Sequence, residues 1–274
     1  MEDLNLPGPF WLVGCGNMAG AMLARWLYLG IDRSRITVIR PSGAPVGEGV
    51  RVVTAAPADE VPALVMLGTK PQKIDAVAPW LAPLLDANTI LVSILAGIEM
   101  ESLRARFPTP RTIVKAMPNT PVRLGKGITL LHSDGGDPEA LASVERLMSG
   151  LGRVEWIADE TLFRAAGILS GAGPAFLFRF IDALAEAGTA IGLAEDQATR
   201  LAKAMVAGAA ALAETEAESP AMLAERVASP GGTTRAGLDV LDRDAALNRL
   251  VRTTLESAFQ RSLQMAEDAR ARPS

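Results

Sequence analysis

Phe10-Trp11-Leu12-Val13-Gly14-Cys15-Gly16-Asn17-Met18-Ala19-Gly20 decides the fold. Its first four residues are bulky and apolar, as a buried strand requires, and they run straight into a glycine turn. An apolar segment of helical composition follows, from about Ala21 to Leu29. Strand, glycine turn and helix in that order make a dinucleotide-binding fingerprint. Gly14 makes the turn, Gly16 lets the backbone approach a pyrophosphate, and Ala19 takes the third small position. Asn17 and Met18 fill out the loop. The next strand, Ile36-Thr37-Val38-Ile39, arrives at the distance expected within a βαβ unit and ends on Arg40-Pro41-Ser42. An acidic residue at that strand end would bind the ribose hydroxyls of NAD, and none stands there. Arg40 with Ser42 suits the 2′-phosphate of NADP instead, so NADPH is the expected cofactor and NADH the alternative.

Further strands are expected at Leu64-Val65-Met66-Leu67 and Thr89-Ile90-Leu91-Val92-Ser93-Ile94. Three more are expected, at Thr112-Ile113-Val114-Lys115, Gly127-Ile128-Thr129-Leu130-Leu131 and Arg153-Val154-Glu155-Trp156-Ile157. Strands alternating with helical patterns imply an α/β fold, a doubly wound, Rossmann-type and mostly parallel sheet with helices on both faces. Ligands of such sheets bind beyond the carboxyl ends of the strands. The Gly14 loop, Thr69-Lys70-Pro71 and Met117-Pro118-Asn119-Thr120-Pro121 all fall there, which predicts that three loops converge on one crevice.

After about Ala158 strand signals stop, which divides the chain into a nucleotide-binding domain, 1–158, and an all-α domain, 159–274. From Pro174 to Ile191 the clearly charged positions are Arg179, Asp182 and Glu186, and the rest is mainly Ala, Leu, Phe, Ile and Gly. A helix apolar nearly all round needs partners on every side. The segment Gln197 to Glu214 behaves alike. A helical domain of this size cannot bury two such helices within itself, so an obligate homodimer through this domain is expected.

Ser229-Pro230-Gly231-Gly232-Thr233-Thr234 places three hydroxyls and two glycine amides on six residues. Ala221 to Val227 upstream and Ala236 to Leu241 downstream read as helices, so the run stands at a helix entrance. Free N–H groups and the positive end of the helix dipole favour a carboxylate or phosphate there.

Composition sets the outer limits. The chain has 274 residues, 49% of them hydrophobic, which is ample for two cores. A net charge of −4 gives no electrostatic case for nucleic acid. One cysteine, Cys15, cannot form an internal disulfide, and Met1-Glu2-Asp3 lacks the basic start of a secretory signal, so a cytoplasmic location is expected. The longest apolar run in the C-terminal half, Ala204 to Ala213, is far short of a membrane span. No metal site and no membrane association are expected. The single histidine, His132, precedes Ser133-Asp134-Gly135-Gly136 and is expected to be a solvated turn residue rather than a base.

Taken together, these residues resemble the pyrroline-5-carboxylate reductase family. The resemblance spans nearly the whole chain. It rests on the Gly14 to Ala19 loop, Lys70-Pro71-Gln72, Met117 to Pro121, Leu169-Ser170-Gly171-Ala172-Gly173-Pro174-Ala175-Phe176 and Ser229 to Thr234, in that order. It implies an NAD(P)H domain followed by a helical domain that interlocks with its twin. Dimers of the family can assemble into rings of dimers, with each active site built from two chains. By the same resemblance Ser229, Gly231, Gly232, Thr233 and their amides receive a substrate carboxylate, and Thr234 hydrogen-bonds the ring nitrogen as the catalytic residue. Asn119 and the Lys70 backbone hold the nicotinamide ribose.

The chain departs from the family at several places. Ala172 and Phe176 stand where members more often carry Ser and Tyr, and Leu67-Gly68-Thr69-Lys70-Pro71 replaces the usual A-V-K-P strand end. Lys115 replaces an Arg, keeping charge but losing a planar fork. Ala55 stands where an Asn often binds the adenosine portion, so weaker cofactor binding is expected. A related imine or ketone reductase of the same design, or a non-catalytic NADP-binding sensor, would share the Gly14 loop. The reductase alternative would not need the cradle from Ser229 to Thr234, and the sensor would be marked by a dispensable Thr234 or by no turnover of an imine.

Overall fold

A computed structural model describes residues 6–270. Residue packing divides the chain into two compact units, Met1–Ala172 with Arg261–Ser274, and Gly173–Gln260.

The first unit is built on one eight-stranded sheet. Its strands are β1 (Phe10–Val13), β2 (Ile36–Ile39), β3 (Arg51–Val53), β4 (Leu64–Leu67), β5 (Ile90–Ser93), β6 (Thr112–Pro118), β7 (Gly127–His132) and β8 (Gly152–Trp156). The spatial order is β3-β2-β1-β4-β5-β6-β7-β8, and every neighbouring pair is parallel except β6 with β7. Strand order reverses at β1, between β2 and β4, and such a switch opens a crevice at the carboxyl ends. The helices of this unit are α1 (Asn17–Tyr28), α2 (Ile74–Leu81), α3 (Met100–Arg106), α4 (Pro138–Ser149) and α5 (Glu160–Gly167).

Both sheet faces are covered, and the period of two in the strands decides which side chain goes where. Phe10 and Leu12 pack in one core with Met22, Leu23 and Trp26 of α1 and Val144, Leu147 and Met148 of α4. Trp11 and Val13 point the other way, into a core with Ile74, Val77 and Leu81 of α2 and Met100 and Leu103 of α3. Phe10, Trp11, Leu12 and Trp26 are fully buried, each worth about 1.5–3 kcal/mol or more in transfer alone. The two buried indoles keep their N–H groups satisfied: Trp26 donates to the Leu147 carbonyl at 2.8 Å and Trp11 to Glu60 at 2.6 Å.

Three details differ from the sequence reading. α1 begins at Asn17, inside the glycine loop, because Gly16 serves as its N-cap and Gly20 N–H already donates to the Gly16 carbonyl at 2.8 Å. β6 runs on through Met117-Pro118, since antiparallel pairing with Leu130 and Thr129 continues past the point where its parallel partner β5 stops. β3 is a three-residue edge strand, too short to leave a pattern.

The second unit is helical: α6 (Gly173–Ala190), α7 (Glu195–Thr215), α8 (Pro220–Val227) and α9 (Thr233–Asp242), with α10 (Ala246–Arg270) beginning in it. α6 and α7 form an antiparallel pair whose contact is made of Ala185, Ala198 and Ala202, small enough for close approach. Little else on α6 is covered. Leu177, Phe178, Phe180 and Ile191 are exposed around α6, as are Leu201, Met205 and Leu212 on α7. The helix runs unbroken from Glu160 to Ala190 through a π turn at Ile168–Ala172, and only 6% of its most apolar 18-residue window is buried. By length and composition that helix could cross a membrane, which the reading of Ala204 to Ala213 as the longest apolar run overlooked.

Candidate active site

The nucleotide loop is held by main-chain bonds. Gly14 N–H donates to the Ile39 carbonyl at 2.8 Å, and Gly68 N–H donates to the Val13 carbonyl at 2.8 Å, so β1, β2 and β4 are tied together where they end. Gly14 has φ +82°, and a Cβ there would lie 2.7 Å from the Thr69 methyl and 2.9 Å from the Thr69 nitrogen. Only glycine serves at this point. Gly16 is the opposite case, because its missing Cβ would meet nothing within 4 Å. As the N-cap of α1 it offers no side chain, leaving the first amides of the helix open to an anion.

The surrounding residues fit a dinucleotide. The Thr69 hydroxyl is buried without a hydrogen-bond partner among the described residues. Arg40, at the end of β2, makes no ion pair among the described residues, and its charge is felt at Cys15. An orphaned hydroxyl, an uncapped helix start, an open glycine and an unpaired guanidinium form a donor set for phosphates and ribose. Burial pushes the Cys15 thiol up, and the Arg40 charge opposes that only in part.

The other predicted residues of this unit are placed unequally. Ala19 is buried, Met18 packs on the core beneath the loop, and Asn17 is exposed. Ser42 lies in a turn where its hydroxyl accepts from Ala44 N–H at 3.3 Å. Lys70 is exposed and precedes the helical turn opened by Pro71. Gly14 and Thr69 are thus brought together, whereas Asn119 lies after β6, two strands away from β4.

Asn119 is nearly buried and its amide has fixed partners. Its Oδ1 accepts from Ile128 N–H at 2.9 Å, and its Nδ2 donates to the Ser170 carbonyl at 3.0 Å. Ser170 lies in the π turn, where the changed hydrogen-bond register frees a carbonyl, and π turns often mark working sites. The sulfur of Met117 would lie 2.3 Å from a Cβ at Gly167, so the helix before the turn sits hard against β6.

A second cluster escaped the sequence reading. Lys115 is buried in β6 and pairs with Glu160, whose Oε1 also accepts from Met100 N–H at 2.9 Å. Lys115 Nζ lies 5.2 Å from the centre of the Phe163 ring. Arg164 pairs with Glu99 at 3.1 Å beside it. The signal was legible: a lysine inside the apolar run of β6 has no solvent to face and needs a carboxylate. His132 corrects an expectation. It closes β7 opposite Lys115 rather than sitting in a solvated turn, is 6% exposed, bonds the Ile157 carbonyl at 2.9 Å through Nδ1 and rests near Phe163.

In the helical unit the loop Ser229–Gly232 joins α8 to α9. Gly231 has φ +70°, and Gly232 N–H donates to the Ser229 carbonyl at 2.9 Å. Gly232 is the N-cap of α9 and offers no side-chain cap, and Thr233 and Thr234 are its first two residues. The hydroxyls of Ser229, Thr233 and Thr234 are exposed and make no hydrogen bonds among the described residues. Open amides and free hydroxyls converge at the positive end of a ten-residue helix, the chemistry of a carboxylate receptor. Among the described residues no group of His, Cys, Asp and Glu is arranged to hold a metal ion.

Residues 160–265 match the family model described as pyrroline-5-carboxylate reductase dimerisation. The chain is 34% identical to the pyrroline-5-carboxylate reductase of Pseudomonas aeruginosa over 93% of its own length and 96% of that protein's. Among solved structures it is similar to a pyrroline-5-carboxylate reductase from Coxiella burnetii, with TM-score 0.88 and 28% identity over 95% of this chain and 99% of that one. It also shares the fold of the Plasmodium falciparum pyrroline carboxylate reductase crystallised with NADP bound, with TM-score 0.80 and 22% identity over 95% of this chain and 98% of that one.

Proposed function

The chain belongs to the pyrroline-5-carboxylate reductase family, and from that premise we propose that it reduces the C=N bond of L-1-pyrroline-5-carboxylate to give L-proline, the last step of proline biosynthesis. The observation that carries the reading is the intact cradle, an uncapped start of α9 beside three free hydroxyls. The substrate's one permanent charge, its carboxylate, matches it.

NADPH, when bound, supplies the hydride. Gly14, Gly16, Asn17, Met18 and Ala19 receive its pyrophosphate, with the Thr69 hydroxyl and the Lys70 and Pro71 backbone beside them. Arg40 and Ser42 take the 2′-phosphate, and Asn119, set by Ser170, braces the ribose. Ser229, Gly231, Gly232 and Thr233 hold the carboxylate, which fixes the ring plane. Thr234 accepts from the protonated ring nitrogen and orients it. A protonated cyclic imine is already electrophilic at carbon, so the chain's task is orientation and exclusion of water more than acid catalysis. That suits a site without a histidine. Hydride transfer from the cofactor would turn the iminium into a neutral amine and leave the positive charge on the oxidised nicotinamide, so the charge the cradle itself has to hold throughout is the carboxylate.

The exposed apolar faces of α6, α7 and α10 support a homodimer through the helical unit, and further closure of dimers into a ring is part of this proposal. The protein then works in the cytoplasm as a soluble oligomer.

The test is loss of NADPH absorbance on adding L-1-pyrroline-5-carboxylate, with proline identified as product. Wild-type protein should turn over, and Thr234→Ala should lose at least tenfold in rate. Folded wild-type protein that binds NADPH yet turns nothing over would sink the assignment.

A further inference from the structure

The cradle is a short loop with exposed hydroxyls, and two main-chain bonds hold it: Gly232 N–H to the Ser229 carbonyl at 2.9 Å and Ala236 N–H to the Gly232 carbonyl at 3.1 Å. Gly231, at φ +70°, adds freedom rather than removing it. A receptor built from such a loop would lose affinity to the entropy of ordering it. Something outside the loop must fix it.

Arg235 is placed to do so. It is the third residue of α9, directly after Thr234. Its Nη1 donates to both carboxylate oxygens of Glu225 at 2.9 and 2.9 Å, its Nε donates to Asp239 at 2.8 Å, and its Nη2 donates to Asp242 at 3.1 Å. Glu225 belongs to α8, on the far side of the cradle in the chain, while Asp239 and Asp242 lie one and two turns further along α9. One planar guanidinium therefore closes the segment from Glu225 to Arg235 into a ring that contains the whole cradle.

The energetics favour a function beyond surface charge. A cation in the first turn of a helix opposes the helix dipole, so Arg235 is poorly placed for the stability of α9 alone. An exposed ion pair is worth little. A planar fork shared among three carboxylates, with Arg235 only 25% exposed, is the arrangement in which such contacts do hold geometry. Arg226, next to Glu225 in the last turn of α8, reaches back to Glu216 at 3.1 Å and Glu218 at 2.7 Å ahead of that helix, so the Glu225 side of the ring is itself held and is not free to follow the loop.

We propose that Arg235 is a positioning residue for the carboxylate cradle: by clamping Glu225 to the first turn of α9 it orders the amides of Gly231 to Thr234 before substrate arrives. It touches neither substrate nor cofactor. Its effect falls on the affinity for the carboxylated imine rather than on the hydride step, and it rests on the reading of that loop as the carboxylate site.

The experiment compares wild-type protein with Arg235→Gln and Glu225→Gln as the assembled oligomer, by amide hydrogen exchange and by steady-state kinetics. The hydrogen-bonded amides of Gly232 and Ala236 should exchange at least tenfold faster in both variants, with peptides of the sheet unchanged. KM for L-1-pyrroline-5-carboxylate should rise at least fivefold while kcat and KM for NADPH stay within twofold. Unchanged exchange would overturn the proposal, as would faster exchange with unchanged KM, or kcat and both KM values moving together. Glu225→Gln breaks the same clamp from α8 and carries the test if Arg235→Gln does not fold. Should wild-type protein turn over no imine, the reductase reading fails, and the exchange comparison still decides whether Arg235 orders the loop.

Discussion

Asn119 Nδ2 donates to the Ser170 carbonyl at 3.0 Å across 51 residues of sequence, while Asn119 Oδ1 accepts from Ile128 N–H at 2.9 Å. One amide thus joins the end of β6, the start of β7 and the π turn. Asn119→Ala leaves a carbonyl and an N–H unpaired, at about 1–3 kcal/mol for each buried group. We expect a lower melting temperature and a raised KM for NADPH. A variant with wild-type stability and a raised KM would show that the amide serves the cofactor alone.

Lys115→Met should destabilise the sheet unit by up to roughly 3 kcal/mol, because it leaves the partly buried Glu160 carboxylate without its cation. Lys115→Met with Glu160→Met should cost less than Lys115→Met alone, since no charge is stranded. Urea midpoints of the two variants check this. Lys115→Arg should stay near wild type.

Gly14→Ala forces a side chain into the left-handed region, about 1–2 kcal/mol, and drives a Cβ into Thr69 as well. Its NADPH affinity should fall by an order of magnitude or more. Gly16→Ala meets open space and should fold normally, so whatever affinity it loses is lost to the ligand and not to the fold. Titration of both variants by fluorescence quenching separates the two effects.

Arg40→Ala removes the unpaired guanidinium expected to meet the 2′-phosphate. A charge-assisted hydrogen bond of about 1.5–3 kcal/mol corresponds to roughly tenfold or more in affinity. KM for NADPH should rise by that factor with KM for NADH unchanged. Equal loss with both cofactors would remove Arg40 from cofactor selection.

Cys15 offers a check on pH. Burial holds its thiol above the ordinary 9.0, so the protonated form prevails at neutral pH. Alkylation by iodoacetamide should be slow at pH 7 and accelerate only as pH climbs beyond about 9. Arg40 lowers that value, so Arg40→Ala should move the profile to still higher pH. NADPH should protect the thiol. Mass spectrometry of the Cys15 peptide measures all three.

Much of this molecule could be read from side-chain periodicity. Four apolar residues before Gly14, and Ile36-Thr37-Val38-Ile39 before Arg40, leave few alternatives to buried parallel strands, and the glycines then locate the nucleotide loop. The strand order needs pairing across the chain, which no local pattern contains. Ser229 to Thr234 was legible because hydroxyls and glycines before a helix have few structural uses in that density. Arg235 was not, since its meaning depends on Glu225 and Asp242 lying within reach, a fact of three dimensions. His132 misled because Ser133-Asp134-Gly135-Gly136 announces a turn but not that the strand before it lies buried under Phe163. Lys115 was read as a weakened Arg, when the apolar residues on both sides already required a buried counter-ion.

The continuous helix from Glu160 to Ala190 has a consequence for the cell. A newly made chain exposes nearly all of the most apolar part of that helix, which the homodimer through the helical unit would cover with a second copy. By mass action the folded population then depends on how much chain is present, with each tenfold dilution costing a dimer about 1.4 kcal/mol of assembly free energy. A chain made sparingly would spend longer alone, open to proteases and to any surface that accepts a membrane-like helix. The rate of synthesis thereby becomes one of the determinants of whether the enzyme survives at all.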